Sequence, residues 1–141
     1  MKPAHLAYLL SCAARLAVGR PPIAIGGISI TDVCNLDCVH CWRRNGGRGH
    51  VPFVRILDAL RRLRSMGVRY LYFQGGEAFT WSEGALRLRD VVAAAKAMGF
   101  FHVAVATNGT FPLDGDPDSF SVSLEGGPEA HGRIRGETYD L

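Results

Sequence analysis

Apolar and polar residues alternate along the chain with two different periods, which predict short strands separated by helices. The strands are predicted where short apolar runs are rich in β-branched and aromatic residues. These runs lie at residues 23–32, 68–73, 101–106 and 120–124. Helices are predicted where apolar residues return every three or four positions. They cover residues 52–66, a segment that ends at residue 98, and a segment that begins near residue 128.

The start of the second of these helices is predicted from its cap. Thr80 and Glu83 have the spacing of a capping box, in which each side chain accepts a hydrogen bond from the other residue's backbone. The sequence therefore predicts a helix that begins at Thr80 and ends before Gly99.

Residues 1–20 are predicted to form an amphipathic helix ahead of the first strand. Its apolar run is interrupted by Ser11 and Arg15 and is shorter than the ~20 residues that a membrane-spanning helix needs. These interruptions, and the lack of a clear cleavage site after the run, also argue against a secretory signal. We therefore expect a cytoplasmic protein without a membrane span, in which Cys12 is buried as a small apolar side chain.

Strands that alternate with helices predict a parallel sheet with right-handed crossovers, and so an α/β fold. The sequence shows no repeat and no linker, so residues 21–141 are expected to form one domain. Ligands of parallel sheets bind at the carboxyl ends of the strands. Each unusual motif of this chain follows a predicted strand, and we expect the motifs to meet at that edge.

The charge of the chain is +3 overall, but it is unevenly distributed. Residues 43–69 contain eight arginines against one acidic residue, Asp58. Such a segment could contact nucleic acid or an anionic substrate. We favour a solvated helix face, because the arginines of the predicted helix lie opposite its apolar face.

Three of the four cysteines follow the first predicted strand in the pattern C-x3-C-x2-C, as Cys34, Cys38 and Cys41. Such close spacing suits a shared metal centre better than a set of disulfides. Thiolates favour zinc or an iron–sulfur cluster. Zinc with His40 or His50 as its fourth ligand stays an alternative. A cubane cluster held by three cysteines would instead leave one iron open for chemistry.

Further motifs follow the other strands and the start of the last helix. They are Gly75-Gly76-Glu77, Thr107-Asn108-Gly109, Ser123-Leu124-Glu125-Gly126 and the stretch from His131 to Gly136. Together with the cysteines, this ordered set resembles the radical S-adenosylmethionine (SAM) superfamily over about residues 23 to 137. The last stretch is similar to one found in its molybdopterin-cyclase-like and peptide-modifying branches.

The resemblance implies a partial (β/α)6 TIM-like barrel, of which the chain supplies about four of the six strands. In the family, three cysteines bind three irons of a [4Fe–4S] cluster, and the fourth iron binds the amino and carboxylate groups of SAM. One electron, from a low-potential donor such as ferredoxin or flavodoxin, leads to cleavage of the sulfonium bond. The resulting 5′-deoxyadenosyl radical abstracts hydrogen from a substrate, which stays unknown here.

The resemblance also implies roles for the residues at the strand ends. Gly75 and Gly76 would let the backbone approach the ligand closely. Glu77, or a backbone carbonyl beside it, would accept a hydrogen bond from the SAM ammonium group. His40 would stack near the adenine. Polar contacts to the methionine or ribose part of SAM are expected from Thr107, Asn108 and Ser123.

Three positions depart from the family pattern: Ala78 replaces a frequent proline, and Glu125 and Gly132 replace frequent aspartates. The chain is also expected to be truncated, because the fifth and sixth strands of the barrel are not encoded in it. Three alternatives stay open. The chain is the N-terminal portion of a longer enzyme, it is completed by a partner chain, or it is a non-catalytic iron–sulfur or zinc-binding module.

Overall fold

The computed structural model describes residues 3–42 and 49–140, which form four α-helices and six strands. The helices are α1 (Pro3–Ala17), α2 (Phe53–Ser65), α3 (Leu88–Ala97) and α4 (Pro128–Arg135). The strands are β1 (Ile25–Thr31), β2 (Tyr70–Gly75), β3 (Ser82–Glu83), β4 (Leu86–Arg87), β5 (His102–Thr107) and β6 (Ser119–Val122). A 3-10 turn covers Ala78–Thr80.

The four longer strands form one parallel sheet in the order β1-β2-β5-β6. The predicted α/β fold with a parallel sheet and an N-terminal helix is therefore confirmed. Since all four strands run in the same direction, their carboxyl ends share one edge. The segments that follow Thr31, Gly75, Thr107 and Val122 consequently lie next to one another.

One face of this sheet carries the hydrophobic core, because α2 and α3 pack against it. Phe73 and Val105 are fully buried from the strand side, and Ile56 and Val91 from the helix side. Trp81 is also fully buried, and its indole Nε1 donates a hydrogen bond of 2.9 Å to the carbonyl of Val51. The core thus fixes the sheet edge from which the motif loops emerge.

The opposite face of the sheet is lined mainly by small and polar side chains. The strand register places Gly27, Tyr72, Ala104 and Ser119 in one row across it. The ring of Tyr72 lies over Gly27, where an added Cβ would come within 2.3 Å of it. Tyr72 is 38% exposed. A sheet covered by helices on one face and open on the other is the geometry of a partial barrel.

The predicted helix start at Thr80 is wrong, and α3 begins at Leu88. The hydroxyl of Thr80 donates to the carbonyls of Val33 and Glu77 and does not cap a helix. Between Thr80 and Leu88, the chain forms the small β3–β4 hairpin. The first turn of α3 is instead capped by Asp90, whose carboxylate accepts from the backbone N–H of Arg87 at 2.8 Å.

The carboxylate of Glu83 caps a different helix. Its Oε2 accepts a hydrogen bond from the backbone N–H of Phe53, the first residue of α2. A negative group at this position also interacts favourably with the positive end of the helix dipole. The β3–β4 hairpin therefore serves as a cap for the helix that follows the cysteine loop.

Helix α1 lies against the loops at the amino ends of β2 and β5. The Tyr8 hydroxyl donates to the carbonyl of Gly67 at 2.9 Å, and the rings of His5 and Tyr8 pack against Phe101. No residue of α1 is fully buried, and Cys12 is half-buried, so the expected burial of Cys12 is wrong. Among the described residues, no helix has the length and apolarity to cross a membrane.

The arginines of α2 favour the solvated-face interpretation of the basic segment. Arg55, Arg61 and Arg62 are exposed, and Arg61 pairs with Asp58 at 2.7 Å. Arg64 instead donates to the carbonyl of Met98. Arg69 donates to the carbonyls of Arg64 and Val68. Arg43, Arg44 and Arg48 lie outside the described residues.

Replacing Glu83 by alanine should lower the free energy of unfolding by about 1 kcal/mol, because α2 would lose its only side-chain cap among the described residues. Urea unfolding followed by circular dichroism measures this change. Glu137→Ala is the control, since Glu137 is exposed and lies beyond α4, and it should change stability by less than about 0.5 kcal/mol. Equal effects of the two variants would contradict the capping role.

Candidate active site

A cavity of about 230 Å³ opens at the carboxyl ends of the four parallel strands. Its walls come from the cysteine loop, the ends of β2 and β5, the segment after β6, and α4. The lining residues are Cys34, Leu36, Cys38, His40, Cys41, Gln74, Gly75, Gly76, Ala106, Thr107, Asn108, Ser123 and Arg135. The structure thus brings together the proposed site residues except Glu77 and His50.

The three loop cysteines are free thiols that differ in exposure. Cys34 is exposed, Cys41 is half-buried and Cys38 is buried. Burial raises the pKa of the Cys38 thiol, and the nearby guanidinium of Arg135 opposes this rise. The loop is fastened to the last helix, because the backbone N–H of Val39 donates to the carbonyl of Ile134 at 3.0 Å.

Gly75 and Gly76 allow the end of β2 to touch the start of the cysteine loop. The Gly76 N–H donates to the carbonyl of Thr31 at 2.9 Å, and the Glu77 N–H donates to that of Val33 at 2.8 Å. An added Cβ at Gly75 would lie 2.5 Å from the carbonyl oxygen of Thr31, and one at Gly76 would lie 2.3 Å from that of Val33. These glycines are therefore required by backbone packing, whatever the cavity binds.

The side chain of Glu77 is used inside the protein and does not line the cavity. It is 1% exposed. Its Oε1 accepts from the Thr107 hydroxyl at 2.8 Å and from the Phe79 N–H at 3.1 Å, and its Oε2 accepts from the Asn108 N–H at 2.6 Å. The carboxylate thus ties the end of β2 to the end of β5. The neighbouring backbone carbonyls, the second option considered above, stay a prediction.

Arg135 is a cavity residue that sequence reasoning did not single out. Its Nε and Nη2 both donate to Oε1 of Glu125, at 3.0 and 2.6 Å. This hydrogen bond holds the pKa of Glu125 below its ordinary value, so the pair stays ionised at neutral pH. The arginine looked like an ordinary helix-surface charge, and the only sequence signal was its place in the His131–Gly136 stretch.

A buried histidine holds this ion pair in place. His131 is 2% exposed, and its Nδ1 accepts a hydrogen bond from the backbone N–H of Glu125 at 3.4 Å. That contact assigns the ring proton to Nε2, which lies 3.0 Å from the hydroxyl oxygen of Thr138. His40 lies on the other side, with its Nε2 3.9 Å from Oε1 of Glu125.

Three free thiols on one cavity wall are a donor set that a cubane cluster can use. The three thiols line one cavity, yet within residues 3–42 and 49–140 no three His, Cys, Asp or Glu side chains converge on a site for a single ion. A cubane cluster distributes its cysteine ligands over separate irons, so its thiolates need no common point. His50, one of the two candidate zinc ligands, is bonded to the Thr31 hydroxyl at 2.8 Å and does not line the cavity.

The family model described as the radical SAM superfamily matches residues 28–141. Among curated proteins, a probable GTP 3′,8-cyclase of Methanopyrus kandleri is 32% identical over 114 residues, which cover 79% of this chain and 34% of that protein. A probable GTP 3′,8-cyclase of Methanothermobacter thermautotrophicus is 29% identical over 94 residues, which cover 65% of this chain and 29% of that protein.

Two solved structures share this fold. Streptococcus suis SuiB bound to S-adenosylmethionine has a TM-score of 0.68 at 17% identity, and the match covers 92% of this chain and 32% of that one. A histidine-tagged form of anSMEcpe with bound AdoMet has a TM-score of 0.61 at 18% identity, and the match covers 86% and 37%. The chain therefore spans about a third of the length of the relatives that it matches.

Gly76→Ala should destabilise the protein by roughly 1–3 kcal/mol, because the new methyl group would overlap the backbone carbonyl of Val33. Denaturant unfolding of the metal-free protein measures the effect. Gly132→Ala is the matched control, since no atom lies within 4 Å of its added Cβ and alanine favours helix α4. The control should leave stability unchanged or raise it by up to about 1 kcal/mol. A neutral Gly76→Ala would contradict the close approach.

Proposed function

This chain belongs to the radical SAM superfamily, and we propose from this premise that its cavity binds a [4Fe–4S] cluster and SAM for radical chemistry on a substrate. The observation that carries the proposal is the cavity itself. Three free thiols and the polar ends of the parallel strands line one concave space. When bound, the cluster and SAM together supply a 5′-deoxyadenosyl radical for hydrogen abstraction.

Cys34, Cys38 and Cys41 would hold three irons, and the chain leaves the fourth position to a ligand. The cysteine loop enters from β1 and is fastened at Val33 to the end of β2 and at Val39 to α4. These contacts hold the loop without using the thiols. The cysteines are consequently available to metal while the fold stays intact.

The amino-acid part of SAM carries an ammonium and a carboxylate group, and the cavity offers partners for both. Backbone carbonyls beside Gly75 and Gly76 would accept from the ammonium. Arg135 is a cation on the cavity wall, and its side chain is 12% exposed. Its guanidinium uses one oxygen of Glu125 and keeps an Nη1 group for a ligand carboxylate.

The remaining polar groups of the wall would bind the rest of SAM. Ser123 lines the cavity and offers its hydroxyl, whereas the side-chain amide of Asn108, also on the wall, is bonded to Asn35 and Thr110. The backbone N–H of Ser123 donates to the carbonyl of Thr107 at 3.0 Å. This bond brings the ends of β5 and β6 together. His40 lies on the wall with half of its side chain exposed, where an imidazole can stack on a purine.

The substrate and the reductant are proposed only by class. The relatives are named for a nucleotide, and the similar structures include SuiB bound to a precursor peptide. The step proposed for this chain is therefore formation of the radical, which does not depend on the identity of the substrate. A low-potential one-electron donor such as ferredoxin or flavodoxin would supply the electron.

Anaerobic reconstitution with iron and sulfide tests the proposal. We expect about four irons and four sulfides per chain, and 5′-deoxyadenosine from SAM after reduction with dithionite. Cys34→Ser, Cys38→Ser and Cys41→Ser should each abolish that product, while Cys12→Ser, a cysteine outside the cavity, should not. A stable cluster without SAM cleavage would favour a non-catalytic iron–sulfur module. Stoichiometric zinc without sulfide would contradict the proposal.

Replacing Arg135 by methionine should weaken SAM binding to the reconstituted protein by about 10- to 100-fold. The reason is the loss of a charge-assisted hydrogen bond, which contributes roughly 1.5–3 kcal/mol. Equilibrium dialysis with labelled SAM measures the dissociation constant. Arg133→Met is the matched control, because Arg133 lies on the same helix, is exposed and pairs with Glu129. The role of Arg135 would be contradicted by equal affinities of the two variants.

A further inference from the structure

The side chains of Asn35, Asn108 and Thr110 form a closed ring of hydrogen bonds beside Cys34. Asn108 Nδ2 donates to Asn35 Oδ1 at 3.0 Å. Asn35 Nδ2 donates to Thr110 Oγ1 at 2.7 Å, and the Thr110 hydroxyl donates to Asn108 Oδ1 at 2.8 Å. Each amide uses its carbonyl and one N–H, and the hydroxyl both accepts and donates, so the ring is internally complete.

The ring joins two segments that are far apart in the sequence. Asn35 lies within the cysteine loop, directly after Cys34, whereas Asn108 and Thr110 follow the end of β5. The ring is anchored on the sheet, because the Asn108 N–H donates to the buried carboxylate of Glu77 at 2.6 Å. The Thr110 N–H adds a bond of 3.0 Å to Asn108 Oδ1.

Cys34 needs such a support more than the other two cysteines. Cys38 is held by burial, and the adjacent Val39 is bonded to α4. Cys34 is exposed. Nδ2 of Asn108 lies 3.9 Å from the Cys34 sulfur, within reach of a weak N–H···S hydrogen bond, and the backbone N–H of Leu36 donates to the same sulfur at 3.4 Å.

We propose that the Asn35–Asn108–Thr110 ring is a positioning device for the Cys34 thiolate and directs an amide N–H at its sulfur. The inference rests on the proposed cluster site. Removing a group that orients a metal ligand lowers metal affinity by roughly 10- to 100-fold. Hydrogen bonds to cluster sulfurs stabilise the more negative, reduced state, so they raise the reduction potential.

Thr110 is the best position for a test, because its side chain does not line the cavity. Thr110→Val keeps the shape of the side chain and removes the hydroxyl, whereas Thr110→Ser keeps the hydroxyl. Ser119→Ala is the control. It removes a hydroxyl that lies 2.9 Å from His102 Nε2, near the amino end of the same sheet.

The first measurement uses metal-free protein and hydrogen–deuterium exchange of residues 33–37. We expect faster exchange in Thr110→Val than in the wild type, and wild-type exchange in Thr110→Ser and Ser119→Ala. Unchanged exchange in Thr110→Val would overturn the inference. So would faster exchange in Thr110→Ser, because that variant retains the ring.

The second measurement uses the reconstituted protein. In Thr110→Val, iron release to a chelator should be at least about tenfold faster, and the cluster potential from a redox titration followed by electron paramagnetic resonance should be more negative. Thr110→Ser should restore both values. An unchanged release rate and potential in Thr110→Val would overturn the inference. If the wild-type protein takes up no cluster, the proposed function fails, and exchange in the metal-free protein still decides whether the ring holds the loop.

Discussion

The buried carboxylate of Glu77 is the contact on which the geometry of the cavity depends. A carboxylate is costly to bury unless hydrogen bonds replace its water. Glu77 accepts three, from the N–H groups of Phe79 and Asn108 and from the hydroxyl of Thr107. Because two of these donors end β5 and the acceptor follows β2, the carboxyl ends of neighbouring strands are held together. The cavity is built on that edge.

Two further features extend this junction to the cysteine loop. On the β2 side, Gly75 and Gly76 bring the backbone within hydrogen-bonding distance of Thr31 and Val33. On the β5 side, the side chain of Asn108 reaches Asn35. The loop that carries the thiols is thus fastened to both strands at its start and to α4 near its end. The exposed Cys34 is positioned by the backbone and side chains around it.

The sequence predicted the parallel sheet well, because buried strands leave short apolar runs that turn-forming residues bound. The prediction from the sequence was wrong where a side chain has two plausible hydrogen-bond partners. Thr80 and Glu83 match a capping box, but in the fold they bond to Val33 and to the start of α2. The contacts of Glu77 with Thr107 and Asn108 join residues about thirty positions apart, and no local pattern encodes them. Arg135 was missed because its partner, Glu125, precedes α4 in a separate segment, and no local pattern pairs the two residues.

The proposed function requires that one cavity hold a cluster with an iron open to SAM. Its most direct test is the electron paramagnetic resonance spectrum of the reduced, reconstituted protein, recorded before and after SAM is added. A ligand that binds an iron changes the electronic structure of the cluster, so we expect SAM to shift the g-values of the reduced cluster. A reduced cluster whose spectrum is the same with and without saturating SAM would contradict it.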